Sequence, residues 1–263
     1  GKYTRFKKKY GLYKGDAFEK WLTKMVEHKT GDPGFTFNQL HQLHLQNNLY
    51  KDLYCTATNL SKQRLEVFSY QSTPDLPIAL AVRISAGIPL YFEPVILDDH
   101  FNKIKKSDTA VAVNYYVDGG MLCNYPIGMF DSCTYCSAPL TCDKAVFNQH
   151  TIGIKLESPQ QIDSLNNNSI NIPPYNINKY SEYLFAFANL LMEQLSRKYP
   201  NLENELGRTI YVSQGKVISK IKKTSVEDKR LLYDNGVKGA TEFFKTREAN
   251  FTVQLVSNYL YYL

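Results

Sequence analysis

The sequence has few cysteines and no long apolar segment, and each shortage excludes a class of protein. Its 263 residues include five cysteines, an odd number, so we do not expect a disulfide framework and favour a reducing compartment. No apolar run approaches the roughly 20 residues that a membrane-spanning helix needs, and the N-terminus has no signal-peptide core. We therefore expect an intracellular protein that is soluble or peripherally associated with a membrane.

The charge of the chain is unevenly distributed. Residues 1–30 hold nine Lys and Arg against three Asp and Glu, which accounts for the whole net charge of +6. A basic segment interleaved with Tyr and Phe suits an anionic lipid surface, at about 1 kcal/mol per basic residue near the headgroups. Nucleic acid is a second, weaker interpretation. A solvated helix face is the interpretation that needs no ligand.

Helical and strand patterns alternate along the chain, and the apolar content of 43% is enough for a single-domain core. We predict a helix over residues 16–29, a helix N-cap at Thr36, strands at 53–58 and 65–70, and a buried helix over 78–84. Such alternation is typical of an α/β domain whose mainly parallel sheet is covered on both faces.

The most informative stretch is an apolar run from Ala110 to Val117 that ends on Asp118, with Gly119 and Gly120 behind it. This pattern predicts a buried strand that delivers a carboxylate to a tight turn at its carboxyl end. α/β proteins place their chemistry at that edge. The alternative is an ordinary Asp that stabilises its own turn.

Several ordered motifs resemble the patatin-like phospholipases. They are the block from Thr73 to Pro94 (TPDLPIALAVRISAGIPLYFEP), the Asp-Gly-Gly at 118–120, the Asn-Tyr-Pro at 124–126, and shorter pieces at 11–15, 35–37, 53–60 and 208–212. The resemblance covers roughly residues 11 to 246. It implies a three-layer α/β domain, with a mainly parallel central sheet flanked by helices, over residues 1–247. Residues 248–263 are then an aromatic C-terminal tail or the start of a further helical region.

The resemblance also implies a chemistry, the hydrolysis of fatty-acyl esters of glycerophospholipids as in phospholipase A or lysophospholipase. The family uses a Ser-Asp dyad in which the Asp of Asp-Gly-Gly is the base. Carried over, Asp118 is the catalytic base and Gly119 and Gly120 form the active-site turn. The mechanism needs no cofactor and no metal.

The nucleophile of that dyad is absent from these residues. No G-x-S-x-G occurs, and Ser85 has Arg83 and Gly87 at −2 and +2, so we expect it to be a packed hydroxyl at a helix end. In the family the nucleophile and the oxyanion loop lie N-terminal to the motifs found here. We therefore expect the rest of the same polypeptide to supply the serine. The alternative is a non-catalytic module on a patatin scaffold that binds a membrane or a protein.

The expected partners are a phospholipid membrane surface and the serine-bearing part of the polypeptide. A protein activator, and a role as a secreted bacterial effector acting in a host cell, stay open. We expect no nucleic acid partner.

Two groups of residues raise the question of a metal. His41 and His44 share a helix face but lack a further ligand, and zinc needs three or four. Zinc is also an alternative for a loop with four cysteines, but their spacings are not those of a zinc ribbon or finger, so we favour reduced thiols. These cysteines are Cys123, Cys133, Cys136 and Cys142.

Overall fold

The structure, a computed structural model, describes residues 2–104, 112–132, 135, 147–166, 177–179, 182, 183, 186, 187, 190, 205, 207–215, 217 and 224–260. Side chains are described for the same residues except 2–5, 164–166 and 248–260. Of the cysteines considered above, Cys133, Cys136 and Cys142 lie outside this part of the chain.

The described helices and strands alternate along much of the chain. In order they are α1 (Lys2–Lys9), β1 (Gly11–Tyr13), α2 (Asp16–Thr30), α3 (Phe37–Gln46), β2 (Cys55–Asn59), β3 (Arg64–Phe68), α4 (Ile78–Ser85), β4 (Leu90–Phe92), β5 (Val95–Leu97), β6 (Asn114–Asp118), β7 (Gly153–Glu157), α5 (Pro159–Asn166), β8 (Thr209–Ser213) and α6 (Val226–Leu260). Two short 3₁₀ turns, Gly119–Met121 and Ile127–Phe130, lie between β6 and β7. The predicted α/β class is confirmed.

The chain divides into two compact units. Unit 1 contains residues 1–124 and 187–198, and unit 2 contains residues 125–186 and 199–263. The single domain predicted over residues 1–247 stays a prediction.

Unit 1 contains a four-stranded sheet in the order β3-β2-β6-β5, and every neighbouring pair in it is antiparallel. The mainly parallel order predicted for the central sheet is therefore not found in these strands. The physical reason is clearest for β2 and β3, because residues 60–63 between them can close a hairpin but cannot form the long crossover that parallel neighbours need. Parallel pairing occurs between β1 and β4, and between β7 and β8 in unit 2.

Helix α4 supplies much of the core of unit 1. Its apolar residues Ala79, Leu80, Ala81 and Ile84 are buried, and the helix contacts β2 and β6. The core cluster also draws on α3 and on strands β2, β3, β5 and β6 through Phe37, Cys55, Ala57, Phe68, Val95, Leu97 and Tyr116. The predicted buried helix over residues 78–84 is thus confirmed.

Local signals at the helix ends of unit 1 also behave as predicted. Helix α2 ends at Thr30, and its C-cap Gly31 adopts a left-handed conformation with φ of 77°. Thr36 caps α3: its hydroxyl accepts from the Gln39 N–H, and the Gln39 side chain accepts from the Thr36 N–H at 2.8 Å. This reciprocal capping box satisfies two backbone donors that the helix leaves unpaired.

Unit 2 is built on the parallel pair β7 and β8, with α5 and α6 packed against β8. Gly239 of α6 lies so close to the strand that a Cβ there would be 2.5 Å from the Tyr211 carbonyl oxygen. A buried ion pair adds to this unit: Arg208, which is 2% exposed, donates to both carboxylate oxygens of Asp131.

The predicted start of the strand that carries Asp118 needs correction. Strand β6 begins at Asn114, and Ala112 and Val113 lie outside it, because an apolar residue joins a strand only where a neighbour pairs with it. Helix α6 continues to Leu260. Within the described residues, no helix is both long and apolar enough to cross a bilayer.

Candidate active site

Strand β6 carries Asp118 to the edge of the sheet in unit 1. The strand lies between β2 and β5, and Asp118 is in register with Ala57 of β2. Tyr116 and Val117 just before it are both buried, so both faces of the strand are covered here, because successive side chains alternate across a strand. Asp118 is therefore held at the end of an inner strand, as the sequence predicts.

The turn after Asp118 is a 3₁₀ helix that the Asp side chain caps. The Asp118 Oδ1 atom accepts a hydrogen bond from the Gly120 N–H at 2.8 Å. The Gly119 carbonyl in turn accepts from the N–H groups of Leu122 and Cys123, at 3.1 and 2.9 Å. One carboxylate oxygen is thus used to fix the turn.

Both glycines of the turn are closely packed, Gly119 more tightly than Gly120. A Cβ on Gly119 would lie 2.3 Å from the Thr56 Oγ1 atom and 2.6 Å from the Thr56 carbonyl carbon. A Cβ on Gly120 would lie 3.0 Å from the Oδ1 atoms of both Asp118 and Asn124. The Asn124 contact is a site feature that the sequence reasoning did not assign, although the Asn-Tyr-Pro motif pointed to it.

The environment of Asp118 favours the neutral acid. Burial raises the pKa of the Asp118 carboxyl, the hydrogen bond from the Gly120 N–H lowers it, and the net shift is upward. Among the described residues, no ion pair or second hydrogen bond engages the carboxylate. The Oδ2 atom is therefore available as a proton acceptor.

The backbone of Asp118 is tied to the loop that follows α4. The Asp118 N–H donates to the Gly87 carbonyl oxygen at 3.1 Å. This contact explains why the Ser-Ala-Gly-Ile-Pro segment and the Asp-Gly-Gly segment, about 30 residues apart in sequence, belong to one site. Gly87 was also missed by reasoning from the sequence, because the contact depends on the fold.

Arg83 is a structural residue beside this loop. It is 1% exposed, and its Nη2 atom donates to the carbonyl oxygens of Lys14 and Glu93 at 3.1 and 3.2 Å. The guanidinium also lies 4.7 Å from the centre of the Phe92 ring. Arg83 therefore joins the ends of β1 and β4 to α4.

The other candidate residues lie in separate surroundings. Ser85 is half-buried at the end of α4. The Nδ1 atom of His41 contacts the Asp52 carboxylate at 3.0 Å, and its ring stacks on Tyr70 with ring centres 3.7 Å apart. His44 contacts the Tyr50 carbonyl oxygen through Nδ1. These contacts account for both histidines without a metal.

The rest of the described surface offers no metal site beside Asp118. Within the described residues, no three His, Cys, Asp or Glu side chains are grouped closely enough to hold an ion. A groove with mixed charge runs along α2 and does not include Asp118; it is lined by Asp16, Glu19, Lys20, Thr23, Lys24, Glu27 and Lys103.

Comparison with known families identifies the fold around this turn. Residues 4–131, which include Asp118 and both glycines, match the family model of the patatin-like phospholipases. The match covers just under half of the 263 residues. The resemblance inferred from the motifs is therefore confirmed. The family in general consists of lipid hydrolases and esterases.

Curated relatives extend the match beyond that region. An uncharacterised protein, R571, of Acanthamoeba polyphaga mimivirus is 26% identical over 240 residues, which is 89% of this chain and 65% of that protein. The uncharacterised YqhO of Bacillus subtilis is 38% identical over 121 residues, covering 46% of this chain and 36% of its own length. The probable lipid hydrolase 463L of Invertebrate iridescent virus 6 is 28% identical over 117 residues, covering 44% and 34%.

The chain thus spans between about a third and two thirds of the length of these relatives. Among solved structures, VipD from Legionella pneumophila is similar over 82% of this chain and 36% of its own, with 19% identity and a TM-score of 0.43.

Proposed function

We propose that this chain supplies the base of a Ser-Asp dyad in a patatin-like lipid acyl hydrolase that cleaves fatty-acyl esters of phospholipids. The observation that carries the proposal is the state of Asp118. Its Oδ1 atom is fixed by the Gly120 N–H, its pKa is raised by burial, and its Oδ2 atom remains available. The family match over residues 4–131 supports the reaction class.

The raised pKa suits the role of a base for a hydroxyl. An exposed carboxylate is a weak base for a seryl proton, whereas a partly desolvated one accepts it more readily. The Asp118 carboxylate must be ionised to act, so activity should fall as the pH drops through its raised pKa. The hydrogen bond from Gly120 keeps the carboxyl group in one orientation during the transfer.

The proposed reaction has two steps that reuse the same carboxyl group. The seryl Oγ attacks the acyl carbonyl carbon while its proton moves to Asp118. The tetrahedral intermediate then expels the lipid alcohol, which takes that proton and leaves an acyl-serine. Water attacks the acyl-serine in the second step, again giving a proton to Asp118, which returns it to the serine as the fatty acid leaves.

The serine and the oxyanion donors belong, in this proposal, to polypeptide outside this sequence, which contains no G-x-S-x-G. Oxyanion donors often contribute the largest share of the rate enhancement. The division of labour is therefore specific: Asp118 transfers the proton, and the serine segment provides the nucleophile and the stabilisation of the negative charge.

The test is Asp118→Asn in a polypeptide that carries both the serine segment and this chain. Asn keeps the acceptor for the Gly120 N–H and has nearly the same shape, so the fold should persist. Loss of the base should lower kcat for a fluorescent phospholipid by about 10²- to 10⁴-fold. Asp75→Asn, which changes an exposed carboxylate, is the matched control and should retain the wild-type rate.

Wild-type hydrolysis by Asp118→Asn would refute the dyad. A polypeptide with the serine segment that binds phospholipid vesicles but never hydrolyses them would instead favour the non-catalytic binding module. A fluorophosphonate probe adds a second readout, since it labels an activated serine directly and should react more slowly in Asp118→Asn.

A further inference from the structure

The short parallel sheet of β1 and β4 has unusual backbone geometry at one end. Tyr10 and Leu90 have φ angles of 63° and 66°, in the left-handed region that side chains with a Cβ rarely adopt. Gly11 pairs with Leu90, so Tyr10, one residue before Gly11, lies at the same end of the sheet as Leu90. Strained residues of this kind often occur where function requires a particular side-chain position.

The strained backbone presents apolar side chains to solvent. Tyr10 is 46% exposed and Leu90 is 49% exposed. The Tyr10 ring also contacts Tyr115 of β6 edge to face, with ring centres 6.0 Å apart, and this contact helps to fix the position of the ring. Exposed large apolar side chains mark an interaction site when a charged rim accompanies them.

The charged rim comes from the helix that leads into β1. Lys7, Lys8 and Lys9 form the last turn of α1 and are exposed, and Tyr10 follows directly. The whole excess of positive charge in the sequence lies within residues 1–30. We call the five residues together the basic-apolar surface: Lys7, Lys8, Lys9, Tyr10 and Leu90.

The chemistry of this surface fits one occupant better than another. Lysines attract the anionic headgroups of phospholipids, and leucine and tyrosine side chains can enter the boundary between headgroups and acyl chains. Nucleic acid would contact the lysines and could stack on the tyrosine, but the exposed leucine Leu90 would add little to its binding. The combination therefore favours an anionic bilayer.

We propose that the basic-apolar surface docks unit 1 on an anionic phospholipid bilayer. The surface lies next to the candidate base in the chain, because Leu90 follows Gly87 by three residues and Gly87 accepts from the Asp118 N–H. Docking requires no turnover and so goes beyond the proposed hydrolysis. Docking would hold unit 1, which carries both the cationic segment and Asp118, at the bilayer.

The test measures co-sedimentation of the chain of residues 1–263 with phosphatidylcholine vesicles, with and without phosphatidylserine. The wild type should prefer the vesicles with phosphatidylserine, and added salt should weaken that binding. Changing Lys7, Lys8 and Lys9 together to Gln should weaken binding by about 100-fold. The matched control, with the same change of charge on helix α6, should bind like the wild type; it changes the exposed Lys229, Lys238 and Lys245 to Gln.

A second variant separates docking from stability. Leu90→Asn removes the apolar side chain, and Asn tolerates a positive φ better than Leu, so the variant should have a higher melting temperature than the wild type. Its binding should nevertheless be weaker, by about three- to tenfold. Leu49→Asn is the control, because Leu49 is 86% exposed but lies outside the basic-apolar surface.

The docking proposal is overturned if wild-type binding ignores phosphatidylserine, or if the lysine and Leu90→Asn variants bind vesicles like the wild type. Binding to single-stranded DNA without binding to vesicles would also overturn it. Asp118→Asn should bind vesicles like the wild type. Failure of docking and failure of the proposed dyad are therefore distinguishable, because one is read from sedimentation and the other from hydrolysis.

Discussion

The backbone N–H of Asp118 donates to the carbonyl oxygen of Gly87 at 3.1 Å, so the loop after α4 helps to fix the backbone position of the candidate base. Gly87 itself is tightly enclosed, since a Cβ there would be 2.8 Å from the Ile84 carbonyl oxygen. Any rearrangement of this loop therefore moves Asp118 as well. The same loop continues to Leu90, which links the position of the base to the proposed docking surface.

Asp118→Asn should raise stability at neutral pH. Burial raises the folded-state pKa of the carboxyl above its ordinary value of 3.8, so the folded protein holds the proton more tightly than the unfolded chain. Wild-type stability must then fall as the pH rises from about 3.8 through the raised pKa, and the full penalty applies above it. Asn carries no charge and avoids that penalty. Thermal melts at neutral and acidic pH measure the difference.

The two melting temperatures should converge below pH 3.8, where the wild-type carboxyl is protonated in both states. Asp75→Asn should differ little from the wild type at neutral pH, because surface substitutions usually change stability by less than about 0.5 kcal/mol. A melting temperature for Asp118→Asn below that of the wild type at neutral pH would contradict the assigned environment.

Substitutions in the turn should separate folding from activity. Gly119→Ala places a Cβ against the Thr56 backbone, which cannot move alone, so the free energy of unfolding should fall by about 1–3 kcal/mol or more. Gly120→Ala meets only the side-chain oxygens of Asp118 and Asn124, which can shift by a few tenths of an ångström. It should cost less stability but displace the carboxylate and lower hydrolysis.

Urea denaturation and phospholipid hydrolysis measured side by side decide this prediction. Gly207→Ala is the control, since a Cβ there meets no atom of the described residues within 4 Å, and it should change neither quantity appreciably. Equal losses of stability in the Gly119 and Gly120 variants would show that the turn is more adaptable than its packing indicates.

The two glycines that flank α2 form a natural pair for measuring the contribution of Arg83. Gly15 and Gly31 have φ angles of 82° and 77°, so Ala costs about 1–2 kcal/mol of strain at each. A Cβ on Gly31 meets nothing within 4 Å, whereas one on Gly15 would be 2.1 Å from the Arg83 Nη2 atom. Gly15→Ala must move the guanidinium from its two carbonyl acceptors and should cost at least about 3 kcal/mol in total.

Chemical denaturation gives the loss in free energy of unfolding for each variant. Because both variants share the strain of a positive φ, the difference between the two losses estimates the contribution of the Arg83 contacts. If Gly15→Ala were no worse than Gly31→Ala, the buried guanidinium would have an alternative position of equal free energy.

The ion pair in unit 2 should give the protein an acid-labile element. Burial raises the pKa of the Asp131 carboxyl, but hydrogen bonds from Arg208 and Asn148 and the charge of Arg208 outweigh it, so the pKa is lowered. The stabilisation is therefore complete above the ordinary value of 3.8 and is lost as the pH falls through the lowered pKa. Asp131→Asn should cost about 2–3 kcal/mol at neutral pH.

Denaturation across a pH series checks this, since the gap between wild type and Asp131→Asn should narrow on acidification. Glu242→Gln is the control, because it breaks an exposed ion pair in which the Lys238 Nζ and Glu242 Oε1 atoms are 3.9 Å apart. It should lower the free energy of unfolding by less than about 1 kcal/mol. A gap for Asp131→Asn that does not depend on pH would contradict the assigned ion pair.

The parts of the site that were predictable from sequence are those set by neighbouring residues. Asp118 with its two glycines, and Thr36 as a helix cap, are local patterns whose chemistry determines the turn. The direction of pairing of β6 with β2 and β5 could not be read, because an apolar strand has the same pattern in a parallel or an antiparallel sheet. Leu90 and Tyr10 were equally hidden, since local preference places Gly or Asn at a positive φ.

The burial of Arg83 was also not predictable from the sequence. It lies within a nearly all-apolar helical segment, and nothing in its neighbours indicates that its charge is buried. Its acceptors on Lys14 and Glu93 are 69 and 10 residues away in sequence, so only the folded chain brings the three together. Contacts of that range decide where a buried charge is tolerated.

Strand β6 lies between two partners, and this placement governs how the candidate base responds to fluctuations. Strands at the interior of a sheet exchange their amide protons slowly, because the segment must open cooperatively with its neighbours. Asp118 is thus carried by a part of unit 1 that is expected to open late, whereas α1 and β1 lie outside that sheet. Adjustment of α1 and β1 to a bilayer can then occur while the proton acceptor stays in register.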